Sequence, residues 1–188
     1  MLKSFAIVLV SFSPLILPVG AHSMSTLPPA EVFSFPTASL SFAPDLPERL
    51  SIPSIGLDAP IQGLGVNEKG EMDVPNGGTN NVGWYASGTV PGQRGSAVLD
   101  AHVFAAFSKL KYLKVGSTVD VQTVSGSILH FVVTDSEVYT TESVPVQRLF
   151  ADKSGELLNL ITCAGTLLPD GSTYDHRLVV YARLVPNS

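Results

Sequence analysis

Between Leu50 and Val185 the apolar positions fall in short runs, several of them alternating with polar ones, and Gly, Pro, Asn and Asp separate the runs. Alternation with a period of two puts successive side chains on opposite faces of a strand, and turn-forming residues between such runs mark reversals of the chain. The pattern predicts strands at Leu50 to Ile55, Ala59 to Val66, Gly83 to Tyr85, Ser96 to Ala101, Thr118 to Val124, Ile128 to Val138, Leu157 to Cys163 and Arg177 to Val185. Eight strands with no internal repeat point to an all-β domain, closed into an eight-stranded barrel because closure removes exposed sheet edges. Phe104 to Leu113 and Val144 to Phe150 are expected to form short helices in the connections.

Upstream of this domain the pattern changes. Residues 1–21, MLKSFAIVLVSFSPLILPVGA, pair Lys3 with an apolar run from Phe5, the order of a signal peptide or a signal anchor. The run sits at the short limit for spanning a bilayer, so cleavage with secretion and retention in the membrane are both compatible with it. Lys3 ahead of the run biases the remainder toward the outer side. Residues 22–49 are rich in Ser, Pro and Ala, lack a sustained period, and read as an extended spacer. The expected organisation is therefore 1–21 export segment, 22–49 spacer and 50–188 barrel domain.

A formal charge of −5, from 11 Lys and Arg against 16 Asp and Glu, provides no basic face for phosphates and argues against nucleic-acid binding. No acidic cluster has the spacing of a calcium site.

The chain has one cysteine, Cys163, so no internal disulfide can form in the exported protein. Three roles fit a lone cysteine: a small buried hydrophobe, half of an intermolecular bond, or a reactive thiol. Strand alternation sets Leu158, Leu160 and Thr162 on one face and Asn159, Ile161 and Cys163 on the other. In the last strand Leu178, Val180, Ala182 and Leu184 share one face, and Arg177 lies on the opposite side. If the leucine faces form one core, Cys163 and Arg177 both point away from it.

A nucleophilic thiol needs a base or a cation nearby. His102, after the run SAVLDA, and His176, before Arg177, lie at strand ends where scaffolds display functional groups; His130 interrupts a strand and His22 falls in the spacer. An arginine beside the nucleophile can stabilise an oxyanion, although a solvated surface charge is its commoner role. Asp100, two residues before His102, can either orient the imidazole or act as a solvated turn residue. Trp84 and Tyr85 read as core or groove-wall aromatics.

Together these residues resemble the sortase family of cysteine transpeptidases. LNLITC is similar to the family's TLxTC motif, with Cys163 at the nucleophile and Thr162 at the preceding threonine; His102 follows SAVLDA as the family's histidine follows its strand; Arg177 opens HRLVVYARL where the family's arginine stands. IPSIGLDAPI, VGWYASGTVPGQRGSAVLDAH and FSKLKYLKVGSTVDV extend the resemblance over about Leu50 to Val185. It is most like class F, with classes D and E next, and unlike the pilin-polymerising class. Ala101 stands where the family commonly has glycine, which asks for negative φ there.

The resemblance implies a transpeptidase acting on LPxTG-like sorting-signal proteins. Cys163 attacks the threonine carbonyl, His102 exchanges protons with the leaving and entering amines, Arg177 holds substrate or oxyanion, and Thr162 shapes the pocket. No metal or organic cofactor enters the scheme. The acceptor is an amine of a cell-wall precursor, with water as a competing acceptor, and the setting is the outer face of a Gram-positive membrane. The competing reading is an exported, non-catalytic β-barrel that binds a ligand around an inert, buried Cys163. A cysteine transpeptidase of the wall-crosslinking type fits less well, because its His-Gly pair shortly before the cysteine is missing from Asn159 to Thr162.

Overall fold

The computed structural model describes residues 44–68 and 70–186. The export segment at 1–21 and nearly all of the spacer lie outside the described residues. The chain forms β1 (Pro47–Ile52), β2 (Leu57–Leu64), β3 (Val82–Tyr85), β4 (Gly95–Asp100), β5 (Thr118–Thr123), β6 (Ile128–Thr140), α1 (Val146–Phe150), β7 (Glu156–Leu167) and β8 (Tyr174–Leu184), with single 3₁₀ turns at Pro53–Ile55, Leu110–Tyr112 and Thr141–Ser143. The strands close into a mixed barrel in the order β1-β2-β3-β4-β7-β8-β6-β5. The barrel is the fold that the strand pattern predicts.

Alternation decides the inner face. Val119 and Val121 of β5, Leu158 and Leu160 of β7, and Leu178, Val180 and Ala182 of β8 all join one interior cluster with Leu50, Leu99 and Phe131. Each fully buried Leu, Val or Phe of this kind contributes roughly 1.5–3 kcal/mol. Strand β4 is buried on both faces, which is why GSAVLD reads as a nearly unbroken apolar run. Ala97 and Leu99 face the interior, while Val98 packs outside with Leu149 of α1, Val179 and Tyr181.

Helix α1 is fastened to that outer face by polar groups. Asn159 Nδ2 donates to Leu149 O at 2.7 Å, and the Arg148 guanidinium lies 3.6 Å above the Tyr181 ring while pairing with Asp135 at 2.6 Å. Trp84 is a core residue whose Nε1–H donates to Thr89 O at 3.0 Å, and Tyr85 packs edge-on to Phe150.

Most elements shift by one to a few residues from the expected boundaries, and three of the departures bear on the architecture. Strand β1 begins at Pro47, ahead of Leu50, where a proline is tolerated at the first position of a strand. The helix expected over Phe104 to Leu113 is replaced by successive turns, with Ser108 N bonded to Ala105 O and Leu113 N to Leu110 O at 3.0 Å each. Its buried residues Phe107, Leu110 and Leu113 recur every three positions, the 3₁₀ period rather than the α period. The third departure is at the β7–β8 hairpin, which runs past Cys163 to a Leu167–Tyr174 pair through an irregularity between Ala164 and Leu167. Among the described residues no helix is long and apolar enough to cross a membrane.

Candidate active site

Strand β7 lies between β4 and β8, so the candidate residues fall on three neighbouring strands or just beyond their ends. On one side β7 pairs with β8 antiparallel, with Cys163 directly opposite Arg177. Leu160 and Val180 face the interior, so alternation turns Cys163 and Arg177 outward together. Directly opposed residues have Cβ atoms about 4.5–5.5 Å apart. Cys163 is half-buried and has no disulfide partner.

On the other side β4 runs parallel to β7, ending with Asp100 opposite Ile161. Just beyond that pair, the buried Thr162 Oγ1 donates to Ala101 O at 2.6 Å. This bond ties the residue before His102 to the residue before Cys163. Thr162 therefore joins the two chain segments through a backbone carbonyl, with its side chain on the interior face. Ala101 accommodates the turn into His102 without strain, since every residue with positive φ among those described is a glycine.

His102 is half-buried and fixed from above. Its Nε2 lies 2.8 Å from Pro75 O; a carbonyl only accepts, so Nε2 carries the proton and Nδ1 is the atom left to take one up. Phe104, itself exposed, stacks on the imidazole with centroids 4.8 Å apart and planes 12° from parallel. A Cβ on Gly77 would lie 3.8 Å from Nε2, so residues 75–77 form a close cover on the ring.

Arg177 is anchored at its own end of the hairpin. Its Nη1 donates to Tyr174 O and His176 O at 2.9 Å each, and Nη2 donates to Thr173 Oγ1 at 3.0 Å. A guanidinium has five N–H groups, so Nε and one Nη2 proton are left for another acceptor.

The other two histidines among the described residues are committed elsewhere. His176 Nδ1 pairs with Asp175 at 2.7 Å, and that carboxylate, held below its ordinary range chiefly by this bond, also accepts from Thr166 N. His130 pairs with Asp120 across β5 and β6, away from β7.

Of the two roles open to Asp100, direct orientation of the imidazole is not seen: no hydrogen bond joins it to His102. It is not a solvated turn residue either, because it is the buried last residue of β4. Burial pushes its pKa up to about 8, with a smaller contribution from the negative charge of Asp73.

Comparison with known proteins decides the family. The sortase-domain profile matches residues 50–185, most of the chain.

The chain belongs to the sortase family.

Sortases are generally cysteine transpeptidases, and this chain carries a sortase-like transpeptidase domain. Similar solved structures include a lid mutant of sortase A from Corynebacterium diphtheriae, at 21% identity over 76% of this chain and 72% of that one, TM-score 0.59. Sortase C1 from Streptococcus agalactiae matches at 23% identity over 75% of this chain and 68% of its own, TM-score 0.55. Sortase C from Clostridium perfringens matches at 22% over 76% and 71%, TM-score 0.55. At such identities the likeness is one of fold. Comparison with curated proteins finds no match.

Pro75, Gly77, Phe104 and Thr173 hold the site in place and carried no signal in the sequence. Pro75 is 27 positions from His102, and only the β2–β3 connection folding back over the ring brings them together. Thr173 sits in a polar turn whose spacing to Arg177 resembles that of any exposed hairpin.

Proposed function

We propose that this sortase cleaves an LPxTG-like sorting signal between Thr and Gly and joins the new carbonyl to an amine of a cell-wall precursor. The single observation that best supports this is the placement of Cys163 opposite Arg177 on β8 and beside the end of β4 that leads into His102. As a thiolate, Cys163 Sγ attacks the threonine carbonyl and the Thr–Gly bond breaks. The departing glycine amine takes its proton from His102. The entering amine then gives a proton back to His102 as the new amide forms and the thiolate is restored. The free Nε and Nη2 protons of Arg177 hold the substrate carbonyl or the oxyanion. Water in place of the amine yields hydrolysis.

Within the family we place the chain nearest class F, then D and E, on the motifs around His102, Cys163 and Arg177. The segment at 1–21 serves as signal anchor and 22–49 as spacer, with the barrel on the outer face of a Gram-positive membrane; cleavage after 21 instead gives a secreted enzyme. A catalytic thiol must be reachable whereas an inert one is free to be sealed, and a half-buried Cys163 beside an arginine favours the catalytic reading.

The test is mass spectrometry of products from an LPxTG-containing peptide library, with and without oligoglycine. Cleavage after threonine and amine-dependent ligation are expected. Cys163→Ala abolishes both, and His102→Ala and Arg177→Ala each reduce the rate by about 10²-fold or more. His130→Ala and His176→Ala have small effects. A large loss in His176→Ala with little in His102→Ala would reassign the base.

A further inference from the structure

Asp100 is 6% exposed, and its Oδ1 is the one buried side-chain polar atom among the described residues with no hydrogen-bond partner. An orphan of this kind lowers stability and calls for a reason. Its room is made by Gly83, directly opposite in the β3–β4 ladder. A Cβ there would run into Asp100 Oδ1 and lie 3.3 Å from Pro75 Cδ. The carboxyl and the Pro75 ring therefore border the same notch. Pro75, itself buried, is the residue whose carbonyl accepts the hydrogen bond from His102 Nε2–H. The chain after it is held by Asn76, whose Oδ1 accepts from Gly78 N at 3.0 Å and whose carbonyl accepts from Thr79 N at 3.0 Å.

We infer that Asp100 is a positioning residue for His102 acting through Pro75: as a neutral acid it fills the notch over Gly83 and leaves the Pro75 carbonyl within reach of Nε2, whereas as a carboxylate it displaces residues 73–78 and releases the imidazole. The role of His102 itself rests on the proposed function.

The surroundings oppose a charge on Asp100. The β2–β3 connection brings Asp73, which is also acidic. Strand β2 contributes Leu64; β3 contributes Gly83 and, two residues on, Tyr85; β7 contributes Ile161 and, two residues on, Cys163. On its own side of the chain lies His102. Arg148 of α1, the cation of the packed helix, is taken up by Asp135 at 2.6 Å and Glu137 at 3.1 Å. Among the described residues none forms an ion pair with Asp100. Ionisation near pH 8 thus puts an unpaired charge into the notch, in the range where ordinary thiols also ionise.

The experiment is a pH titration, from about pH 5 to about pH 10, of the ring nitrogens in ¹⁵N-histidine-labelled full-length protein carrying Cys163→Ala, so that the thiol adds no step of its own. The His102 ring signals are expected to show, besides protonation of the ring, a second step near pH 8 that reports ionisation of Asp100. Adding Asp100→Asn removes the second step. Adding Asp73→Asn instead moves it to lower pH by about half a unit, which keeps the test decisive should Asp100→Asn fail to fold. A single step in the parent, a second step that survives Asp100→Asn, or one that Asp73→Asn leaves in place overturns the inference. None of these outcomes bears on peptide ligation, and failed ligation leaves the titration intact, so the two readings fail separately.

Discussion

Two side chains on neighbouring strands show how single residues set this site. Thr162 Oγ1 donates to Ala101 O at 2.6 Å in a buried setting, and Thr162→Val removes the donor while leaving that carbonyl unpaired. The expected cost is about 1–3 kcal/mol, together with lost activity, because the bond aligns the segments that carry His102 and Cys163. Thr162→Ser is expected to restore both; equal loss in Val and Ser variants would show that packing, and not the bond, is what matters. Asp100 acts in the opposite sense. Its folded-state pKa of about 8 lies above the unfolded value near 3.9, so between those limits the folded chain holds a proton that the unfolded chain has released. Its contribution is therefore intact below about pH 4 and stability falls as pH rises toward 8, by roughly a few kcal/mol in all. Asp100→Asn is expected to melt higher than wild type at pH 8, with the difference closing toward pH 4. A constant difference across that range would mean that the carboxyl does not stay protonated.

At the scale of elements, the β7–β8 hairpin matters most. Gly165 follows Cys163 by two positions with φ of 80°, and a Cβ there would strike Asp175 Oδ1 and come within 2.6 Å of His176 Nδ1. Gly165→Ala is expected to cost about 1–2 kcal/mol from the left-handed backbone alone, and more from the collision. Lowered thermal stability with weakened acylation is the expected result, and an unchanged variant would mean that the hairpin end is free to rearrange. This hairpin also marks where the sequence stopped being legible. Alternation in TVDVQT and the apolar run in GSAVLD fix β5 and β4 to within a residue, because burial on one face or both writes itself into the text. Gly165 reads as a strand end, yet here it allows an irregularity that the ladder survives. The period-three burial of Phe107, Leu110 and Leu113 is likewise too short to separate a 3₁₀ path from an α-helix.

At the scale of the molecule, closure of the barrel sets Cys163 opposite Arg177, ties the segment before His102 to Thr162, and leaves Pro75 against His102. The outward placement of Cys163 and Arg177 was readable from alternation in two strands. The pairing of β7 with both β4 and β8, the cover of Pro75 over His102 and the tether of Thr173 on Arg177 were not, since they depend on which strands are neighbours and where a connection folds back. The central claim is that this barrel exists to make one acyl-enzyme. Intact-protein mass spectrometry of the full chain, incubated with an LPxTG peptide and quenched in acid, tests it most directly. The predicted result is a mass increase equal to the peptide up to its threonine, mapped to Cys163, absent from Cys163→Ala and lost on adding oligoglycine. A folded protein that gains no mass from any peptide of the library, or gains it at another residue, would contradict the account.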